Sequence, residues 1–218
     1  MKKFITGFVL TLAVYTVPVY AQDPTKWEDT IKEIEKRNDC PDSKRVNFFT
    51  GSSSIALWKD IASYFPEQVV VNRAFGGSQF SDLLYYIDRV IGTCKPAKVF
   101  IYEGDNDIAA GEDPEGILAE ARLVRKFLEK RLPNVTVVFI SAKPSPSRWE
   151  QRDKYLKVNK GLKQLTKKFK NTEFADMWTP MLDKDGQVLP QIFLEDKLHM
   201  NSDGYKIWAE VLKPYLVP

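Results

Sequence analysis

One histidine and two cysteines stand in a chain of 218 residues, and that scarcity all but excludes a zinc site, which needs four nitrogen or sulfur ligands held together. A concentrated basic patch is also missing. The nearest approach, KGLKQLTKKFK, reads more readily as a solvated helix face than as a nucleic-acid surface. No internal repeat, low-complexity tract or Pro/Gly/Ser-rich linker divides the chain. What is plentiful is apolar: 44% of residues are hydrophobic and 12% aromatic, enough to argue against disorder and for one globular domain with a sizeable core.

The opening stretch MKKFITGFVLTLAVYTVPVYAQ sets Lys2 and Lys3 before an apolar run and ends in Val19-Tyr20-Ala21, small residues of the kind a signal peptidase reads. Residues 1–21 are therefore expected to be a cleaved export signal, with 22–218 the mature domain in a periplasm or outside the cell. An uncleaved membrane anchor is the other reading. Thr6, Thr11, Thr16 and Pro18 interrupt a run already short for a span of roughly 20 residues. Loss of Lys2 and Lys3 lowers the formal charge from +3 to +1. In an oxidising compartment Cys40 and Cys94 have only one intramolecular pairing open to them.

Past a polar helix around 27–37, apolar β-branched and aromatic runs recur at 46–50, 68–72, 97–102 and 135–141, with a weaker one at 172–177. Runs of this length read as strands buried on both faces. Helical patterns alternate with them: IALWKDIASYF, FSDLLYYIDRVIG, PEGILAEARLVRKFLEKR with Pro114 in its first turn, WEQRDKYLKVNKGLKQLTKKFK, and a last helix from about Ser202 to Leu212. The alternation predicts a three-layer α/β domain with a parallel sheet. In a 2-1-3-4-5 strand order, Cys40 and Cys94, which precede the first and third strands, would lie near enough to bond.

In such sheets the loops after the carboxyl ends of the strands converge on one edge, where ligands bind. They read GSSS, RAFGGSQ, EGDNDIAAGED and AKPSPSR, followed by DKDGQVLPQIFLEDKLHMNSDG before the last helix. A serine becomes nucleophilic when a base takes its proton, and the lone His199 lies three residues after Asp196, a carboxylate able to orient its ring. Alone, D-x-x-H also fits a surface pair near a helix start. Gly77 could expose a backbone N–H to an oxyanion or simply make a turn; Asn106 could donate from its amide or simply cap a helix. Composition alone does not choose among Ser52, Ser53 and Ser54.

With these blocks in this order, the chain from about Val46 to Leu212 resembles the SGNH/GDSL hydrolases, serine esterases and lipases of flavodoxin-like α/β/α fold. FTGSSSI looks like the block carrying the nucleophile, which falls on Ser53. NRAFGGSQ resembles the block whose glycine donates to the oxyanion, at Gly77, and EGDND the block with the donor asparagine, at Asn106. EDKLH resembles the block carrying Asp196 and His199. The resemblance implies a five-stranded sheet in 2-1-3-4-5 order, a Ser53–His199–Asp196 triad, an oxyanion hole from Ser53, Gly77 and Asn106, and no cofactor or metal. In one place the pattern departs: the family's aspartate before the nucleophile is Ser52 here.

Trp58, Phe75, Arg148 and Trp149 lie on or just beyond the converging loops and are candidate substrate contacts, although both tryptophans could instead pack a helix on the sheet. No long apolar lid is present to shelter a fatty chain. A short acyl group, such as acetyl on a carbohydrate, is the expected substrate, with no nucleic-acid partner and an oligomeric state the sequence leaves open. Two other readings remain: a flavodoxin-like module holding a phosphate or flavin on the serine loop, and a non-catalytic glycan-binding relative of the hydrolases.

Overall fold

The computed structural model describes residues 23–218, so the export signal expected over 1–21 lies outside the described residues. Five parallel strands, β1 (Val46–Gly51), β2 (Val69–Asn72), β3 (Lys98–Tyr102), β4 (Thr136–Ile140) and β5 (Thr172–Ala175), form one sheet in the order 2-1-3-4-5. Alternation along each strand feeds two cores. Phe48, Val99, Ile101, Val137 and Phe139 face one side, whereas Phe49, Phe100, Tyr102, Val138 and Ile140 face the other. Each fully buried phenylalanine contributes on the order of 2 kcal/mol.

Helices α1 (Glu28–Lys36), α3 (Phe80–Ile91), α5 (Pro114–Arg131) and α6 (Arg152–Leu165) cover the first face through Ile31, Leu83, Val124 and Val158. The short α2 (Ser53–Ala56) and the last helix α7 (Ser202–Leu212) cover the second through Ile55 and Trp208. A further short helix, α4 (Asp105–Ala109), begins inside the loop after β3.

The helix expected over IALWKDIASYF does not form. After α2 the chain turns at Leu57 and makes only a 3₁₀ turn over Ile61–Tyr64. The Asn72 amide donates to the carbonyls of Ile55 (2.8 Å) and Trp58 (3.3 Å), and the Trp58 ring stacks on Tyr205 with centroids 4.9 Å apart. A helix through this segment would have to surrender both. Residues 146–151 likewise form a 3₁₀ segment ahead of α6 instead of its first turns.

At the carboxyl edge, Gly51 brings β1 and β3 together. Its φ is +117°, and a β-carbon there would stand 2.1 Å from the Tyr102 carbonyl oxygen, so no other residue fits. Ser52 N–H then donates to that carbonyl at 2.9 Å. At the opposite edge Cys40 and Cys94 are disulfide-bonded with Cα atoms 5.3 Å apart, 54 residues apart in sequence. A closed loop of that length restricts the unfolded chain by about 4 kcal/mol. The double variant Cys40→Ser/Cys94→Ala should therefore unfold at a clearly lower urea concentration than the oxidised parent, and reduction of the parent should lower its midpoint similarly.

Candidate active site

The three serines after Gly51 occupy different environments. Ser52, extended at φ −88° and ψ −164°, precedes α2 and is 1% exposed, and Ser54 is 2% exposed. Ser53, the first residue of α2, is only partly buried, and its Oγ lies 3.0 Å from His199 Nε2. Of the three serines, Ser53 is the one whose hydroxyl the imidazole meets.

His199 sits in a loop closed by an antiparallel bridge between Phe193 and Met200 and by Leu194 N–H donating to the His199 carbonyl at 2.8 Å. Within it, Asp196 Oδ1 accepts from the N–H groups of Leu198 and His199 at 2.9 Å each, and Oδ2 lies 2.6 Å from His199 Nδ1. Partial burial would raise the Asp196 pKa, but the two backbone donors and the imidazole outweigh it and hold the carboxyl at about 2. An ionised carboxylate only accepts, so Nδ1 carries a ring hydrogen, and the tautomer this favours turns an Nε2 lone pair toward Ser53. That arrangement can remove a proton from the serine.

Gly77 and Asn106 also converge on the serine loop. Gly77 N–H donates to Ser52 Oγ at 3.2 Å, and Asn106 Nδ2 donates to Ser52 Oγ at 2.6 Å and to the Ser78 carbonyl at 3.0 Å. Gly76 packs beside them, where a β-carbon would stand 3.6 Å from Ser53 Cβ.

Behind Asn106 lies a charged network that the sequence reading missed. Asp105 accepts from Tyr102 Oη (2.7 Å), Arg148 (2.5 Å) and the Tyr155 hydroxyl, and pairs with Lys143 at 3.4 Å. Burial would push the Asp105 pKa up; Lys143 and Arg148, with both tyrosine hydroxyls, reverse this and hold it well below the usual carboxylate range. Burial pushes the wholly enclosed Lys143 ammonium down, and Asp105 offsets only part of that. Arg148 also donates from its second terminal nitrogen to Asn106 Oδ1 at 3.2 Å. A cation on the amide oxygen fixes which end of Asn106 faces the serines. The sequence signal for this network was the placement of Asp105, Lys143 and Arg148 in loops at the carboxyl edge.

Two of the expected substrate contacts are corrected. Trp58 is 0% exposed and Phe75 is 1% exposed, each packed among other rings, so neither reaches a substrate. Arg148 gives Nη1 to Asp105 and one Nη2 hydrogen to Asn106, while its side chain keeps 18% exposure. Trp149, by contrast, lines a cleft of about 450 Å³ with Arg152, Leu156, Trp178, Leu182, Gly186 and Gln187, its ring stacked on Trp178 at 5.8 Å. The neighbouring Ser147 N–H donates to the Lys197 carbonyl at 3.1 Å, joining this wall to the loop of His199.

Among the described residues, Asp107, Glu112 and Glu120 bring their carboxylate oxygens within 4.8 Å of one another. Burial, with neighbouring carboxylates second, raises both Asp107 and Glu120 to a pKa of about 7, in Asp107 against backbone N–H donors that pull it back down.

The family model described as the GDSL-like Lipase/Acylhydrolase family matches residues 47–207. No curated protein matches the chain. Among solved structures, a Streptococcus pneumonia protein provisionally named for platelet activating factor is 20% identical, with 88% of this chain and 92% of that one covered and a TM-score of 0.78. A GDSL-like lipase from Bacteroides thetaiotaomicron is 17% identical, with 88% and 98% covered and a TM-score of 0.72. An acetylxylan esterase from Geobacillus stearothermophilus, in a catalytic-mutant form, is 17% identical, with 78% and 94% covered and a TM-score of 0.66. At such identities the structures speak to the fold, while the family match speaks to the chemistry: this is an ester hydrolase on a three-layer α/β/α scaffold. The chain belongs to the GDSL-like Lipase/Acylhydrolase family, which sets aside the flavin carrier as its class.

Two outcomes follow from the charges around Asn106. Asp105→Leu leaves Lys143 and Arg148 buried without their counter-ion and should cost about 3–5 kcal/mol in a denaturant titration. Arg148→Met frees the Asn106 amide to turn over. It should lower kcat by about 10- to 100-fold, short of the 10²–10³ expected for outright loss of an oxyanion donor, with little change in KM. The acidic cluster gives a pH signature. A carboxyl whose folded pKa lies above its unfolded value stabilises most in acid and loses that contribution as pH climbs to the folded value. The advantage in melting temperature of Glu120→Gln over the parent should therefore grow between pH 4.5 and about 7 and level off above.

Proposed function

We propose that the chain is an exported serine esterase that removes a short acyl group, with acetyl on a carbohydrate the favoured substrate, through a Ser53–His199–Asp196 triad. The observation that carries this reading is the single line of contacts from Asp196 Oδ2 through the two ring nitrogens of His199 to Ser53 Oγ, at 2.6 and 3.0 Å. Ser53 Oγ attacks the ester carbonyl carbon as its proton passes to His199 Nε2, and the carbonyl electron pair moves onto oxygen. Asp196 steadies the imidazolium. The leaving alcohol takes the proton, and water, deprotonated by His199, then releases the acid from the acyl-enzyme. The oxyanion forms beside the Ser53 N–H and the donors of Gly77 and Asn106.

The carbohydrate assignment draws support from the Trp149–Trp178 wall, since flat aromatic surface suits a sugar ring, and from a structural neighbour named as an acetylxylan esterase. Export draws support from the signal-like residues 1–21 and from the Cys40–Cys94 bond, which persists best in an oxidising compartment.

A fluorophosphonate probe should label the wild type on the peptide containing Ser53, and p-nitrophenyl acetate should be turned over far faster than the palmitate ester. Absence of both label and turnover removes the serine-esterase mechanism, and labelling of Ser53→Ala removes the choice of serine. Asn106→Ala should lower kcat by about 10²–10³-fold while leaving the far-ultraviolet circular dichroism spectrum unchanged.

A further inference from the structure

Where the family pattern has aspartate before the nucleophile this chain has Ser52, and its hydroxyl occupies an unusual position. It is 1% exposed, it lies one residue before the nucleophile, and it accepts hydrogen bonds from Gly77 N–H at 3.2 Å and Asn106 Nδ2 at 2.6 Å. Those are the two donors that the triad reading assigns to the oxyanion. Gly77 has a single hydrogen to give, and the other amide hydrogen of Asn106 is held by the Ser78 carbonyl at 3.0 Å. With Ser52 in place, both donors are already spent.

We propose that Ser52 is a further catalytic residue, a relay that gathers the hydrogen bonds of Gly77 and Asn106 and donates its own hydroxyl hydrogen to the substrate oxyanion. A serine hydroxyl has two lone pairs and one hydrogen. Here both lone pairs are taken, and no acceptor for the hydrogen is found among the described residues. A hydroxyl that accepts two hydrogen bonds becomes a stronger donor, because each accepted bond draws electron density from the O–H. The positive charge of Arg148, lying on Asn106 Oδ1 at 3.2 Å, extends the same polarisation from behind. A β-carbon at Gly76 would stand 3.6 Å from Ser53 Cβ, so the Gly76–Gly77 turn that feeds Ser52 faces the nucleophile. An ionised aspartate in this position could accept from Gly77 and Asn106 but would have no hydrogen to pass on. No bond to hydrogen breaks in the relay: the Ser52 proton stays on its oxygen while the oxyanion charge builds and is shared.

This inference rests on the triad reading of the site, and the experiment separates the two. Wild type, Ser52→Ala, Ser52→Thr and Ser52→Cys are compared for kcat and KM on p-nitrophenyl acetate, for affinity toward phenylboronic acid as a tetrahedral mimic, and for melting temperature. Ser52→Ala should lose about 10²–10³-fold in kcat, the scale of one oxyanion donor, and weaken boronate binding, with KM within about threefold of wild type. Ser52→Thr, which keeps the hydroxyl, should recover most of the loss. Ser52→Cys, nearly the same shape with a weak donor, should stay impaired, and it carries the comparison if Ser52→Ala fails to fold. A kcat for Ser52→Ala or Ser52→Cys equal to or above wild type overturns the relay and makes the hydroxyl a mere occupant of the donor pair. So does a loss confined to KM. An inactive wild type that takes no fluorophosphonate label overturns the triad reading, and the relay with it.

Discussion

A carboxylate taken out of water must be matched on its lone pairs, and at Asp105 the matching groups come from separate parts of the chain. Tyr102 ends β3, Lys143 follows β4, Arg148 lies in the 3₁₀ segment before α6, and Tyr155 is on α6. Taking such an ion from water costs several kcal/mol unless every partner is in place, so the carboxylate ties the loop after β3 to the one after β4. Asn106 is the next residue, and its orientation is inherited from that packing. The Asn106 side of the site is thus held in place by a buried charge whose partners are all present beneath it.

The Ser53 side is built by different means. Gly51 permits a backbone approach between β1 and β3 that no side chain could share, which sets Ser52 and Ser53 beside the loop of Asn106. The imidazole arrives from far along the chain on a loop whose shape is set by Asp196 accepting from two backbone N–H groups while it holds the ring. One carboxylate therefore folds the loop and fixes the tautomer. Sheet sterics, a buried ion and a self-bonded turn meet at Ser53, each supplied by a different stretch of sequence.

The strands were legible because burial on both faces demands continuous apolar runs, and the long helices because their periodic faces were uninterrupted. α5 and α7 begin and end as Pro114 and the Ser202–Leu212 pattern suggest. The segment after Ser53 was misread because its outcome depends on Asn72, a side chain on another strand that takes its carbonyls. Trp58 and Phe75 depart from the sequence expectation for a related reason. Loop position says which edge a residue reaches but not whether its side chain turns inward, and two rings went to the core while a guanidinium went to Asp105. The positions of Ser53, Asp196 and His199 needed only the ordering of short motifs, whereas Lys143 and Tyr155 could be recognised only once the chain had brought them to Asp105.

His199 is the chain's sole histidine. Its imidazole resonances in a nuclear magnetic resonance spectrum have no others to overlap, so the protein carries a built-in reporter without background at the point where Asp196 and Ser53 meet. Proton position, ligand arrival and acylation would each be read from one spin system, with no engineered label.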